Sequence, residues 1–209
     1  MVDVSDFKTY CTGYGAATFF LLVAFLTSMT GAFVKSYNYR IVWFFLSVTS
    51  YILGYVCYIG GLSDVACETK DDSDAQAALC DGYASSTVFY FLAVILFSLT
   101  AWFARYETTH ERATMVYFTG LAFVSLAQFC FSAGTSVSAC DLKDQNDDVT
   151  TTTVVTLSSD DYDIKCKGYG FAATAQFFSF FAMGFLIIWE LIGRFEFYYF
   201  LEIARHSSL

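Results

Sequence analysis

Five long apolar stretches constrain this chain more than any other feature. Each has at least about 20 residues with few or no charges, the length an α-helix needs to cross the roughly 30 Å hydrocarbon core of a bilayer. They cover residues 13–34, 41–61, 83–104, 113–134 and 169–192. Only 15% of the 209 residues are charged, against about a quarter in soluble domains. The sequence therefore predicts an all-α fold, a helical bundle with five transmembrane helices that forms a single membrane domain over residues 1–209.

The first apolar stretch also has the position of a secretory signal peptide. However, residues 1–10 before it are acidic on balance, whereas signal peptides begin with basic residues. The stretch also opens with a motif that two later stretches share. We therefore expect it to be a retained transmembrane helix.

A short motif, Cys-X-Gly-Tyr, leads into the first, third and fifth apolar stretches. Its copies lie at residues 11–14, 80–83 and 166–169. A second motif, Ala-Cys-acidic-X-Lys, follows the second and fourth stretches, at residues 66–70 and 139–143. Self-similarity of this kind predicts a repeated helical hairpin. The predicted repeats are residues 11–70 and 80–143, with a half repeat at 166–209.

Charge differs between the two ends of the predicted bundle. With five spans, the N-terminal tail and the segments 62–82 and 135–168 share one side, which holds 5 Lys and 15 Asp or Glu. The other side holds 6 basic and 4 acidic residues, including every Arg. Basic residues in short loops favour the cytoplasmic side. We therefore expect an extracytoplasmic N-terminus and a cytoplasmic C-terminus, with the plasma membrane as the predicted location.

Five cysteines fall on the predicted outer side, where disulfides persist. They are Cys11, Cys67, Cys80, Cys140 and Cys166. One pairing closes each outer loop, joining 67 to 80 and 140 to 166, and leaves residue 11 over. Another closes each hairpin, joining 11 to 67 and 80 to 140, and leaves residue 166 over. The sequence leaves both open, with the loop pairing favoured because its ends are closer along the chain.

Both outer segments, 62–82 and 135–168, are predicted to be irregular loops. Segment 135–168 is the longer of the two. Residues 149–157, Val-Thr-Thr-Thr-Thr-Val-Val-Thr-Leu, have the β-branched composition of a short strand. Such a strand would pair with the other outer loop or with a neighbouring molecule. The alternative is an extended linker held by its flanking cysteines.

Three polar or ionisable residues lie at membrane depth in the predicted spans, namely Gln128, Gln176 and Glu190. Amides in spans usually hydrogen-bond between helices, so packing is the favoured interpretation of both glutamines and a permeation path the alternative. Glu190 lies one helical turn before Arg194, with which it can pair on the helix surface.

Most catalytic and cofactor-binding classes lack support in the sequence. Both histidines, His110 and His206, lie outside the spans, which argues against a haem held between helices. No lysine lies within a span, so a retinal-type Schiff base has no attachment point. There is no His/Cys cluster and no nucleophile beside a base. We expect no catalytic, cofactor or metal site, and no nucleic-acid partner.

The order of spans 2 to 5, with a short inner turn and two cysteine-bearing outer segments, resembles the four-span MARVEL-type proteins of the synaptophysin, occludin and myelin-lymphocyte group. The chain resembles claudin-like proteins more distantly. Residues 61–65, Gly-Leu-Ser-Asp-Val, and 85–89, Ser-Ser-Thr-Val-Phe, are similar to the synaptophysin branch. The resemblance implies membrane organisation at junctions or vesicles.

Two functions follow as hypotheses. The first is a structural or scaffolding protein, partnered by the lipid bilayer and by itself or other membrane proteins, that packs into an oligomeric complex or array. The second is a channel or accessory channel subunit, with residues 128 and 176 lining a polar path and acidic outer segments gathering cations.

Overall fold

The computed structural model describes residues 4–35, 37–68, 73–106, 110–148 and 159–206. Five α-helices occupy nearly all of them: α1 (Val4–Phe33), α2 (Tyr37–Glu68), α3 (Asp74–Ala104), α4 (His110–Asp148) and α5 (Ser159–His206). The described part contains no strand, and the predicted strand at 149–157 lies outside the described residues. The all-α prediction is confirmed for the part of the chain that the structure describes.

Among the residues that the structure describes, four helices are long and apolar enough to cross a membrane. Their candidate spans are Thr12–Phe33, Tyr39–Glu68, Asp74–Ala104 and Arg112–Asp141. The fifth apolar stretch lies within α5, the longest helix at 48 residues. Large apolar side chains cover the outer surface of the helices; Phe33, Phe171 and Phe185, for example, are 80%, 77% and 69% exposed. Such a surface suits contact with lipid rather than water.

The predicted outer loops are wrong in extent. Segment 62–82 is helical up to Glu68 and again from Asp74, and segment 135–168 is helical up to Asp148 and again from Ser159. Hydropathy marks the depth of the bilayer, whereas a helix continues into water as long as its backbone hydrogen bonds persist. At the start of α3 the Ser73 side chain accepts a hydrogen bond from the Gln76 backbone N–H at 3.3 Å, and Asp74 lies in the first turn. Both features favour a helix N-terminus.

Helices that follow one another in the sequence pack as antiparallel neighbours. Among the described residues, close backbone contacts join α1 to α2, α2 to α3, α3 to α4 and α4 to α5, and no other pair. Side chains also link α2 to α4, because the Phe45 and Tyr117 rings lie 5.7 Å apart. The helices thus form a folded row in which α1 and α5 each have a single close helix neighbour.

The core lies where α2, α3 and α4 meet. Its buried members are Ile52, Ile59, Tyr90, Ala93, Phe97 and Ala127. Helix α3 contributes half of them, and its Phe97 is fully buried. Helix α3 is therefore the central helix of the core, between α2 and α4.

Two disulfides join consecutive helices at the same end of the row. Cys67 on α2 pairs with Cys80 on α3, and Cys140 on α4 pairs with Cys166 on α5. The structure thus has the first of the two pairings left open by the sequence. The cysteines lie within helices rather than in loops, which corrects the predicted disulfide-containing loops. The side chains of Cys11 and Glu190 lie outside the described part of the chain.

Candidate functional site

The glycine of the Cys-X-Gly-Tyr motif packs against a second glycine in both hairpins. A Cβ added at Gly13 would lie 3.2 Å from the Gly61 Cα, and one added at Gly82 would lie 2.8 Å from the Gly134 Cα. Gly61 and Gly134 are 73 residues apart, the spacing of the second motif. Only a residue without a side chain allows two helix backbones to approach so closely.

The tyrosines of the motif also make corresponding contacts. The Tyr14 and Tyr58 rings lie 5.2 Å apart, and the Tyr83 and Phe131 rings lie 5.1 Å apart. Tyr58 and Phe131 are again 73 residues apart. The predicted repeats therefore share both a backbone crossing and an aromatic pair at the disulfide end of each hairpin.

Helix α5 carries the same motif two turns after its start, but no second helix of the described residues covers it at this position. Apart from the adjoining residues of α5 itself, no atom of the described residues lies within 4 Å of a Cβ added at Gly168. Small residues continue from it along one side of α5 at alternating spacings of four and three. We call this side the small-residue face of α5; it consists of Gly168, Ala172, Ala175, Ser179 and Ala182. All are exposed except Ser179, which is half-buried.

The small-residue face points away from α4. Helix α5 contacts α4 through other residues, since Gly170 lies beside the Ser136 hydroxyl and the Phe129 and Phe177 rings are 5.7 Å apart. Ser136 also donates a hydrogen bond to the Cys166 carbonyl oxygen at 2.9 Å. At 3.6 residues per turn, the face centred on Gly168 is turned by nearly half a circle from this contact.

A groove runs along α2, beside α1. Its outer half, at the disulfide end, is a cavity of about 470 Å³, and its inner half is a second cavity of about 540 Å³. The two halves adjoin, because Leu21 and Tyr51 line both. The outer half is lined by Tyr14, Ala17, Thr18, Leu21, Tyr51, Gly54, Tyr55 and Tyr58. We call the whole feature the tyrosine groove.

Polar and apolar groups are unevenly distributed along the tyrosine groove. The outer half carries four tyrosines, whose hydroxyls form two pairs: Tyr51 with Tyr55, at 3.2 Å between the oxygens, and Tyr58 with Tyr14. The inner half is mainly apolar, with Phe25, Ile52 and Leu121 among its lining residues. None of the described residues that line either half is charged. The groove therefore suits an uncharged molecule with one polar end.

The predicted intramembrane amides lie on two neighbouring helices, α4 and α5. Gln128 on α4 forms a side-chain hydrogen bond with Tyr90 on α3. The Tyr90 ring stacks on Tyr55 at 5.8 Å, which places this pair behind the groove. Gln176 is half-buried on α5.

The described residues hold no group of three or more His, Cys, Asp or Glu side chains that could bind a metal ion. Cys57 and Cys130 are unpaired thiols inside the spans.

Neither the groove nor the small-residue face of α5 was predicted from the sequence, although a signal for each was present. Tyr51, Tyr55 and Tyr58 are spaced by four and three residues and so share one side of a helix. The alternating small residues of α5 have the same periodicity.

Comparisons with known proteins give no match for this chain. It fits no protein-family model, and neither a curated protein nor a solved structure is significantly similar to it. The resemblance of spans 2 to 5 to MARVEL-type proteins is thus neither supported nor contradicted by these comparisons.

Proposed function

We propose that the protein is a membrane scaffold that associates with further copies of itself through the small-residue face of α5. One observation carries this proposal. The corresponding faces of α1 and α3 are covered by a neighbouring helix in the same molecule, whereas the face of α5 is exposed.

The correspondence extends beyond the glycine. Four and eleven residues after it, α1 has Ala17 and Ala24 and α3 has Ser86 and Ala93, all buried with at most 6% exposure. The same positions in α5 are Ala172, which is exposed, and Ser179, which is half-buried. A sequence pattern that twice forms a helix–helix contact within the chain is thus available a third time on its surface.

The residue types favour a helix as the occupant of this face. In a bilayer, lipid tails are as apolar as leucine, so helices associate through close packing of small residues rather than through the hydrophobic effect. Five small residues over four turns provide a flat strip about 21 Å long at 1.5 Å per residue. A second copy has the same orientation in the membrane and presents the same strip, which allows a symmetric parallel contact.

The membrane arrangement is part of the proposal. We propose that α5 is the fifth span, so that the two termini face opposite compartments, with the disulfide end outside the cell at the plasma membrane. The acidic charge and four paired cysteines at that end support this orientation. Labelling of tags at both termini by a membrane-impermeant reagent on intact cells tests it; equal labelling of the two tags would contradict it.

Association is measurable as subunit number in lipid nanodiscs or by energy transfer between labelled copies in vesicles. We expect the wild type to form dimers or larger assemblies, and Ala175→Leu to weaken association at least tenfold, about 1.4 kcal/mol. Thr174→Leu is the matched control. Thr174 is also exposed on α5, but it is six residues from Gly168 and so about a third of a circle away from it. A wild type that stays monomeric at every protein-to-lipid ratio would refute self-association.

The channel hypothesis has less support. A conducting path requires polar groups throughout the membrane, but the inner half of the groove is mostly apolar and Gln128 is engaged with Tyr90. Ion flux through reconstituted vesicles that falls on Gln128→Leu would favour a channel over a scaffold.

A further inference from the structure

The tyrosine groove presents hydrogen-bonding groups at an unusual depth. Tyr51 and Tyr55 lie on either side of the middle of the candidate span Tyr39–Glu68, several turns from either interface. Tyrosines usually occupy the interfaces, where the hydroxyl reaches water. A hydroxyl that faces hydrocarbon without a partner loses about 1–3 kcal/mol. Tyr51, which lines both halves of the groove, is 49% exposed.

The hydroxyl pair retains one proton to donate. Two tyrosine hydroxyls carry two protons, and the bond between Tyr51 and Tyr55 uses one of them. The structure gives this pair no other hydrogen bond among the described residues. A molecule in the groove that offers an acceptor at this depth would satisfy the remaining donor.

The lining also limits what that molecule is. It carries no charged side chain among the described residues, so a phosphate or ammonium head has no counter-charge. Ala17 and Gly54 keep the floor of the outer half free of bulk, and the tyrosines provide ring surfaces. The volumes of the two halves fall within the roughly 300–1,000 Å³ of ordinary ligand sites.

We propose that the tyrosine groove binds an uncharged lipid with a planar, carbonyl-bearing head and a long apolar tail, the chemistry of isoprenoid quinones. The head lies in the outer half, where a ring carbonyl accepts the free proton of the Tyr51–Tyr55 pair. The tail follows the apolar inner half past Phe25 and Leu121. Phospholipids and sterols fit less well, because their polar groups stay at the interface, above the hydroxyl pair. The proposal concerns binding only, and no electron transfer is implied.

This site is independent of the proposed self-association, since it lies along α2 and uses no residue of α5. The test uses the full chain in phosphatidylcholine nanodiscs, titrated with decylubiquinone while intrinsic fluorescence is recorded. We expect saturable quenching. The double variant Tyr51→Phe/Tyr55→Phe, which keeps the rings and removes only the hydroxyls, should weaken binding at least tenfold. Leu21→Trp, which fills the point where the two halves adjoin, should weaken it as well.

Tyr39→Phe is the matched control, because Tyr39 is 60% exposed on the same helix and lies outside the groove; we expect binding unchanged. Cholesterol at equal concentration should fail to displace decylubiquinone. The proposal is overturned if quenching does not saturate, if the double variant binds like the wild type, or if cholesterol competes equally.

Discussion

Helices α3 and α5 carry the same motif within their first turns, but the motif glycine has different surroundings in the two helices. Both carry a motif cysteine that forms a disulfide to the preceding helix. The motif glycine differs in its contacts: a Cβ added at Gly82 would meet the backbone of Gly134, whereas one added at Gly168 would meet no atom of another described helix within 4 Å. The motif therefore fixes how each helix joins the one before it. Whether the motif glycine is packed against another backbone depends on the helix that follows in the sequence.

The three helices also differ in the residue seven positions after the motif glycine. Seven residues after the glycine, α1 has Phe20 and α3 has Phe89, whose ring stacks on Phe123 of α4 at 6.0 Å. The corresponding residue of α5 is Ala175. A phenylalanine fills the space that opens where two helices cross, whereas alanine keeps the surface flat. The face of α5 is thus suited to a longer close contact than either hairpin makes.

The largest expected change in stability comes from removing the disulfide that joins α3, or α5, to the helix before it. Replacing both cysteines of a pair by serine removes a constraint on the unfolded chain, and the loss grows with the length of the closed loop. The pair Cys67–Cys80 closes 13 residues and Cys140–Cys166 closes 26. We expect a loss of about 3 kcal/mol for the first pair and roughly 0.6 kcal/mol more for the second.

Denaturant unfolding of the two double variants in detergent measures these losses, and the reduced wild type serves as the reference. A larger loss for the 13-residue loop would show that native contacts at the α2–α3 junction, rather than loop length, determine the effect.

The glycines give the next largest effect, and its sign should differ between the two helices. Gly82→Ala places a Cβ 2.8 Å from the Gly134 Cα and 2.9 Å from the Cys130 carbonyl oxygen, and overpacking of this kind costs about 1–3 kcal/mol. Gly168→Ala meets no atom and should stabilise α5 by up to about 1 kcal/mol, since alanine is the better helix former. Unfolding of the monomer at low protein-to-detergent ratio checks both. Equal losses at the two positions would mean that Gly168 is covered.

The sequence predicted the helices well because each apolar stretch is long enough to identify by composition. It failed at their ends. Segments 62–82 and 135–168 were predicted as loops from their acidic residues, but charge excludes a segment from the bilayer and does not exclude it from a helix. The Ser73 cap with Gln76 three residues later was a signal for the start of α3.

The candidate sites were harder to predict, because each depends on what another helix leaves uncovered. Tyr51 and Tyr55 are recognisable as one side of α2, yet only the packing of α1 shows that this side lines a groove. Likewise, the small residues of α5 are visible in the sequence, but the same pattern is covered on α1 and α3. The spacing of residues in the sequence shows which of them share one side of a helix, but only the packing of the helices shows what that side contacts.

The smallest expected change in stability comes from removing one buried hydroxyl, that of Ser86, from the face of α3 that follows its motif glycine. Ser86 is fully buried, and its hydroxyl has no hydrogen-bond partner in the structure; the corresponding residues on α1 and α5 are Ala17 and Ala172. Removing an unsatisfied buried hydroxyl should help, so we expect Ser86→Ala to raise the free energy of unfolding by about 1 kcal/mol. Ser98→Ala is the control, since Ser98 is exposed and donates to the Val94 carbonyl oxygen at 2.8 Å, and it should change stability little. Destabilisation by Ser86→Ala would show that the α3–α4 contact uses this hydroxyl, a requirement that the alanines of α1 and α5 do not share.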